Sequence, residues 1–209
     1  MSNNLDRPAR LLLRIMYEKN KQLYLHSLRC ADIAQGIYIN LPEIKNTVRE
    51  ETVAMAAKLH DIGKLLVPDE ILETPKRYTG EERRIMDYHP IAGAELLLQY
   101  FNGDLTDEAE KVIFCIRHHH ERFDGSGYPS GLKGTNNPII AQIIGLSDYY
   151  TALTEKRAYR EPLSREEVKN CLREDNHLFH PGIINALLTH VEHDIGEKLD
   201  RKQLPPSEL

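Results

Sequence analysis

Apolar residues along this 209-residue chain recur mostly three and four positions apart, and no stretch alternates strictly between apolar and polar residues inside turn boundaries. Helical periodicity without strand periodicity predicts an all-α fold of about seven or eight helices. A first helix is predicted from near Pro8 through Ala34 to Gly36. A second runs from Pro42 or Thr47 to Gly63, where glycine suits the left-handed position past a helix end. Thr79-Gly80-Glu81-Glu82 and Ser164-Arg165-Glu166-Glu167 both fit the capping box, in which hydroxyl and carboxylate satisfy each other's orphan amides. Thr106, with Asp107 and Glu108 behind it, opens another helix, and Pro90, Pro138 and Pro181 each suit a first helical position. Between Glu121 and Asn137, Gly125, Gly127, Gly131, Gly134 and Pro129 break any helix, leaving a long loop of the kind that carries function. With no repeat and no linker, residues 1–209 read as a single domain with a core at about 20–190 and a frayed tail at 203–209.

Charge narrows the function. Lys and Arg total 27 against 32 Asp and Glu, a net charge of −5, so no basic excess favours duplex nucleic acid or anionic lipid. An anionic substrate needs a local cationic site. The longest apolar runs are cut, at Arg14 after Leu11 to Leu13 and at Gln142 and Gly145 within Ile139 to Leu146, so no membrane span is predicted. The first ten residues lack the apolar stretch of a signal peptide, and the chain reads as cytoplasmic. Cys30, Cys115 and Cys171 are odd in number and far apart, which suits reduced thiols better than a disulfide framework or a paired-cysteine zinc site.

Ten histidines in a chain without Trp are the unusual feature. His60-Asp61-Ile62-Gly63-Lys64 closes an apolar run containing Val53, Met55, Ala57 and Leu59, setting an imidazole beside a carboxylate where burial is costly without compensation. A divalent metal compensates both groups, since first-row ions accept imidazole nitrogen and carboxylate oxygen together. Lys64, four residues from His60, is predicted to share its helix face and to look towards an anion such as phosphate. His26, His89, the run His118-His119-His120 and Asp148 supply enough further donors for two metals. A two-metal site that holds a hydroxide nucleophile and clamps a phosphoryl oxygen points to phosphoester hydrolysis.

These residues resemble an HD-GYP domain, a branch of the HD phosphohydrolase superfamily, over about residues 20 to 190. The matching pieces are His26-Ser27-x-Arg29, His60-Asp61-Ile62-Gly63-Lys64, Pro68-x-x-Ile71-Leu72, His89-Pro90, His119-His120-Glu121-x-x-Asp124-Gly125-Ser126-Gly127-Tyr128-Pro129, and Asp148 followed by Ala152-Leu153-Thr154, Arg157 and Tyr159-Arg160. The resemblance implies an all-α HD-domain helical bundle with a Gly-Tyr-Pro loop. It also implies a di-iron or di-manganese centre and hydrolysis of cyclic di-GMP, through the linear dinucleotide pGpG, towards GMP. Carried over by position, one metal takes His26, His60, Asp61 and Asp148, and the other takes His89, His119, His120 and the same Asp61 as bridge. Lys64 and Arg157 match the phosphate-binding cations, and Gly127, Tyr128 and Pro129 border the substrate pocket.

The sequence departs from the family pattern at named places. Gln22 stands where some members have a Glu that ligates a third metal, so two ions are expected and a third is not. Thr151 replaces the second Asp of Asp-x-x-Asp-Ala-Leu, Asn176 to Pro181 blurs a Gly-x-x-Phe-Asp-Pro pattern, and Thr74-Pro75-Lys76 replaces Lys-Pro-Gly. His177, His190 and His193 read as ordinary histidines, Cys115 as a small buried residue, and His118 as a supporting or surface group beside the ligands. His193-Asp194-Ile195-Gly196 repeats the earlier four letters without the following histidines and reads as coincidence. Two other functions remain open at this level: an HD-type di-iron oxygenase using much the same ligands, and a sensor that binds a cyclic dinucleotide without cutting it. The chain further admits a homodimer or a separate regulatory partner.

Overall fold

A computed structural model describes residues 5–74, 76–101, 105–156 and 160–193 of the chain, and they form ten α-helices joined by short 3-10 turns with no extended strand. The predicted first helix is two helices, α1 (Asp6–Lys19) and α2 (Lys21–Ile39). Asn20 separates them: its backbone is extended and its side chain accepts a hydrogen bond from the Leu23 amide, which starts a new helix. The predicted second helix is also subdivided. Pro42–Ile44 makes a 3-10 turn, α3 spans Glu50–Leu59, and a second 3-10 turn follows at Ile62–Leu66.

Downstream come α4 (Asp69–Leu72), α5 (Gly80–Asp87), α6 (His89–Leu98), α7 (Asp107–His118), α8 (Ile139–Thr154), α9 (Arg165–Glu174) and α10 (Pro181–His193). Both predicted capping boxes form, at Thr79 with Glu82 and at Ser164 with Glu167, and the Thr106 side chain accepts from the Ala109 amide. Pro90 and Pro181 lie in the first turns of α6 and α10, whereas Pro138 is the cap residue just before α8. The tail at 203–209 and the second His-Asp-Ile-Gly beyond His193 lie outside the described residues.

The core is organised around α2, which packs on α3 and α8, while α6 packs on α7 and on the turn at Ile62–Leu66. One apolar cluster runs from Leu5 to Leu187 and includes Tyr24, Ile37, Leu59, Ile62, Ile116, Ile143 and Leu146. Helix α8 is buried nearly all round through Ile140, Ala141, Ile143, Ile144 and Leu146, the pattern of a central helix rather than an amphipathic one. Its polar C-terminal half carries Asp148 inward. Among the described residues, no helix is long and apolar enough to cross a membrane.

Gly63 does not end a helix in the left-handed region. It lies in the 3-10 turn, and a Cβ there would fall 2.0 Å from the His89 carbonyl oxygen and 2.5 Å from the Gly93 nitrogen. The glycine is therefore needed for close approach of the turn to α6. Left-handed glycines do occur where the long loop was predicted, at Gly125, Gly131 and Gly134.

Candidate metal centre

The ends of three helices meet at the centre of the molecule. His60 caps α3, His89 follows the end of α5 and begins α6, and His119 caps α7. The last carbonyls of an α-helix have no partner within it. Three of them are used to aim imidazoles: Nδ1 of His60, His89 and His119 lies 2.7 Å from the carbonyl oxygens of Ala57, Met86 and Ile116 respectively. Each Nδ1–H donates to a carbonyl three residues back, so Nε2 is the nitrogen left to face the interior. Helix C-termini also bring partial negative charge, which suits a cation at their meeting point.

Asp61 lies at the middle and is fully buried. Its Oδ2 is 3.3 Å from His60 Nε2 and 3.7 Å from His26 Nε2, and its Oδ1 is 3.1 Å from His89 Nε2 and 3.9 Å from His119 Nε2. Asp148, from α8, places Oδ1 3.1 Å from His26 Nε2 and 3.9 Å from His60 Nε2. His89 and His119 approach at 3.3 Å through their Nε2 atoms, and His120 completes a cluster with them. Donors on adjacent corners of one ion with bonds of about 2.1 Å lie about 3 Å apart, so these spacings fit two neighbouring coordination shells. Two of the inward atoms, His60 Nε2 and Asp61 Oδ1, are buried with no hydrogen-bond partner among the described residues, the condition a metal relieves. The donors present therefore suit divalent cations.

Electrostatics at Asp61, His119 and His120 point the same way, while at His26 burial is outweighed by the carboxylates of Asp148 and Glu155, which push the ring up to about 9. Burial alone would raise the carboxyl of Asp61, yet the surrounding His60 and Lys64 hold it well below the usual carboxylate range. Burial and the neighbouring imidazoles push His119 and His120 far down, leaving them neutral and able to ligate.

The structure thus brings together His26, His60, Asp61, His89, His119, His120 and Asp148. Lys64 is placed otherwise than its spacing suggested. Helix α3 stops at Leu59, and the tighter turn that follows folds the Lys64 ammonium back onto Asp61, 2.6 Å from Oδ2. It reaches the centre through that carboxylate and not from a helix face shared with His60. Arg157 lies outside the described residues, as does Pro75 of the Thr74-Pro75-Lys76 departure. Gln22 is exposed on α2, one turn before His26. Thr151 is buried on α8 with its hydroxyl unpaired among the described residues.

The Gly-Tyr-Pro loop forms one wall of the site. The Tyr128 ring stacks on His120 with centroids 4.9 Å apart, and the Tyr128 amide donates to the His120 carbonyl at 3.3 Å. A Cβ on Gly127 would fall 2.3 Å from the Arg122 nitrogen, so only glycine lets the loop turn back so closely. Pro129 follows through a cis peptide bond. Two groups hold the loop in place: Glu121, which has no assigned role in the sequence, and His118, which reads there as a supporting or surface group. Buried Glu121 accepts from the Ser130 amide at 2.6 Å and the Leu132 amide at 2.9 Å, and His118 reaches the Ser130 hydroxyl at 3.4 Å while stacking on Phe114. His118 is thus a supporting group, as its place in the triplet suggested. Glu155 was missed altogether: its Oε2 lies 2.9 Å from Nδ1 of His26 and its Oε1 pairs with Arg29. Nothing in the sequence links residues 26 and 155, which only the packing of α2 on α8 brings together.

Beside His89 a cavity of about 330 Å³ is lined by Gly63, Leu66, Val67, Arg84 and Tyr88. A larger one of about 640 Å³ lies between α9 and α10 and includes none of the clustered donors, so the smaller cavity is the one adjoining the chemistry.

Comparison with known proteins identifies the family and the fold. The HD domain family pattern matches residues 10–182. A probable cyclic di-GMP phosphodiesterase of Vibrio cholerae is 38% identical over 71% of this chain and 35% of its own length. A cyclic di-GMP phosphodiesterase of Pseudomonas aeruginosa is 35% identical over 88% of this chain and 42% of its own. The chain spans 35 to 42% of the length of such relatives. Among solved structures, the HD domain of the L. monocytogenes phosphodiesterase PgpH superposes with a TM-score of 0.61 at 19% identity, over 88% of this chain and 96% of that one. The same HD domain has been solved with cyclic-di-AMP. With helical order, clustered His and Asp donors and the family match in agreement, the chain belongs to the HD domain family.

Proposed function

We propose that this chain is an HD-GYP catalytic domain, a metal-dependent phosphodiesterase that hydrolyses cyclic di-GMP to linear pGpG, GMP or both. The observation that carries the reading is the division of Asp61: one oxygen faces His26 and His60, and the other faces His89 and His119. Such a carboxylate is placed to join two ions, with Asp148 completing one shell and His120 the other. Iron or manganese suits this mixed nitrogen and oxygen set. Bound there, the ions would supply Lewis-acid charge for phosphate and for an activated water.

The chain's own groups do the remaining work. Backbone anchors fix the tautomers of His60, His89 and His119, so no reorientation is needed when ions bind. Lys64, together with Arg157, offsets phosphate charge, and Tyr128, packed on His120, walls the site from water. The half-exposed Tyr88 and the exposed Arg84 at the cavity beside His89 offer a flat ring and a planar cation to a nucleobase. Gln22, an exposed amide without charge, supports an occupancy of two ions and not three. The names of the relatives support the substrate class, and relatives named as 3'3'-cGAMP-specific phosphodiesterases, at 31 and 33% identity, make the mixed dinucleotide the first competitor to test.

The experiment is anaerobic incubation of the iron- or manganese-loaded chain with cyclic di-GMP, 3'3'-cGAMP and cyclic di-AMP separately, resolving linear dinucleotide from mononucleotide. Metal-dependent conversion of cyclic di-GMP, faster than of the other two, is expected. Tight binding without product would make the chain a sensor, and oxygen consumption with a small organic substrate would make it an oxygenase.

A further inference from the structure

Three of the central imidazoles are held alike and a fourth is not. His60, His89 and His119 each direct Nδ1 to a neutral main-chain carbonyl, whereas His26 directs Nδ1 to the carboxylate of Glu155 at 2.9 Å. The opposite nitrogen of the same ring lies 3.1 Å from Asp148 Oδ1, so carboxylates grip His26 at both edges. Glu155 sits just past the last residue of α8, with its side chain 16% exposed. Its second oxygen pairs with Arg29, three residues along α2 from His26, which fixes the carboxylate's rotation. A carboxylate behind the distal nitrogen of a ligating imidazole makes the ligating nitrogen more basic.

The two halves of the centre consequently differ in charge. Around His26 and His60 stand Asp148 and Asp61 Oδ2, with Glu155 behind; around His89, His119 and His120 the clustered donors are imidazoles apart from Asp61 Oδ1. Arg29 is half exposed and screened by solvent, and Lys64 lies on Asp61 Oδ2, so its charge offsets about one of the carboxylates on this side; with Asp148 and Glu155 both present, the half built on His26 still keeps the excess of negative charge. We propose that the half built on His26 binds a divalent ion more tightly than the half built on His89, and that Glu155 is the positioning residue that sets this order. The proposal deepens the two-metal reading and rests on it.

Stepwise titration of the metal-free full chain with Mn²⁺, in competition with a chelator, tests it by affinity and not by turnover. Two dissociation constants separated by about tenfold or more are expected in the unaltered chain. Glu155→Gln, which keeps shape and removes charge, weakens the tighter constant by about ten- to a hundredfold and leaves the weaker one in place. At one equivalent of Mn²⁺ the unaltered chain shows the paramagnetic resonance of isolated ions, and the variant shows an increased share of coupled pairs. Arg29→Gln, at an exposed position that does not threaten the fold, shifts the same constant in the same direction by less. Two ions bound with constants that Glu155→Gln leaves alone, or shifts equally, overturn the ranking while sparing the two-metal reading. Fewer than two ions on the unaltered chain overturn that reading and the ranking with it.

Discussion

The same four letters, His-Asp-Ile-Gly, occur twice in this chain, followed by further histidines in the first copy and by none in the second. At positions 60–63 they follow α3, a helix packed on α2 and α7, and every one of the four residues is buried. At positions 193–196 they begin at the last described residue of α10, with no histidine cluster downstream. Letters become a site when packing supplies partners: Ala57 O for His60, His26 and His89 for Asp61, and a close-lying α6 for Gly63. Burial without those partners would be a cost, and with them it makes a rigid charge centre.

Substitutions at the two copies should widen that contrast. Asp61→Ala should have the largest effect, reducing hydrolysis to background and removing metal, because both halves lose an oxygen and the ions lose the charge between them. Metal analysis with product separation checks it, and a variant that keeps two ions and normal turnover would refute the bridge. Gly63→Ala should destabilise the fold by about 3 kcal/mol or more, because its Cβ would meet the backbone of α6. Urea denaturation measures this, and a shift under about 1 kcal/mol would mean that α6 yields easily.

Lys64→Ala should lower kcat/KM by about ten- to a hundredfold, the worth of a charge-assisted phosphate contact, while metal content is retained. Retention follows because the ammonium is itself a cation on Asp61 and its removal cannot weaken metal there by charge. Lost metal with unchanged kinetics per bound ion would assign Lys64 to the fold instead. Asp194→Ala, in the second copy, should change neither metal content nor turnover, and should move stability by no more than about 0.5 kcal/mol. Loss of metal there would show that the wrong copy has been assigned to the centre.

What could be read from the sequence was whatever is local or motif-borne. The capping boxes at Thr79 and Ser164 are decided within four residues, and they form as the letters require. The clustered donors come from short motifs whose chemistry is unusual enough to stand out against an apolar helix. The division between α1 and α2 was also local, in the cap residue Asn20, but the apolar period continues across it and masks the break. Gly63 was misassigned because glycine serves both helix ends and close approaches, and only the position of α6 separates the two uses. Glu155 was invisible for a different reason: its partner is 129 positions away. Glu121 stood in a recognised motif, but its hold on Ser130 and Leu132 depends on the loop's path and not on its neighbours in sequence.

The anchors of the three central rings are main-chain atoms, those of residues 57, 86 and 116. A carbonyl is the same whatever side chain stands beside it. Aim and tautomer at His60, His89 and His119 are therefore encoded in where helices stop, and the amino acids at the anchoring positions can drift without touching either. Two chains can share these contacts while having different residues at all three places, so the part of the site that decides how its rings point leaves no trace in an alignment.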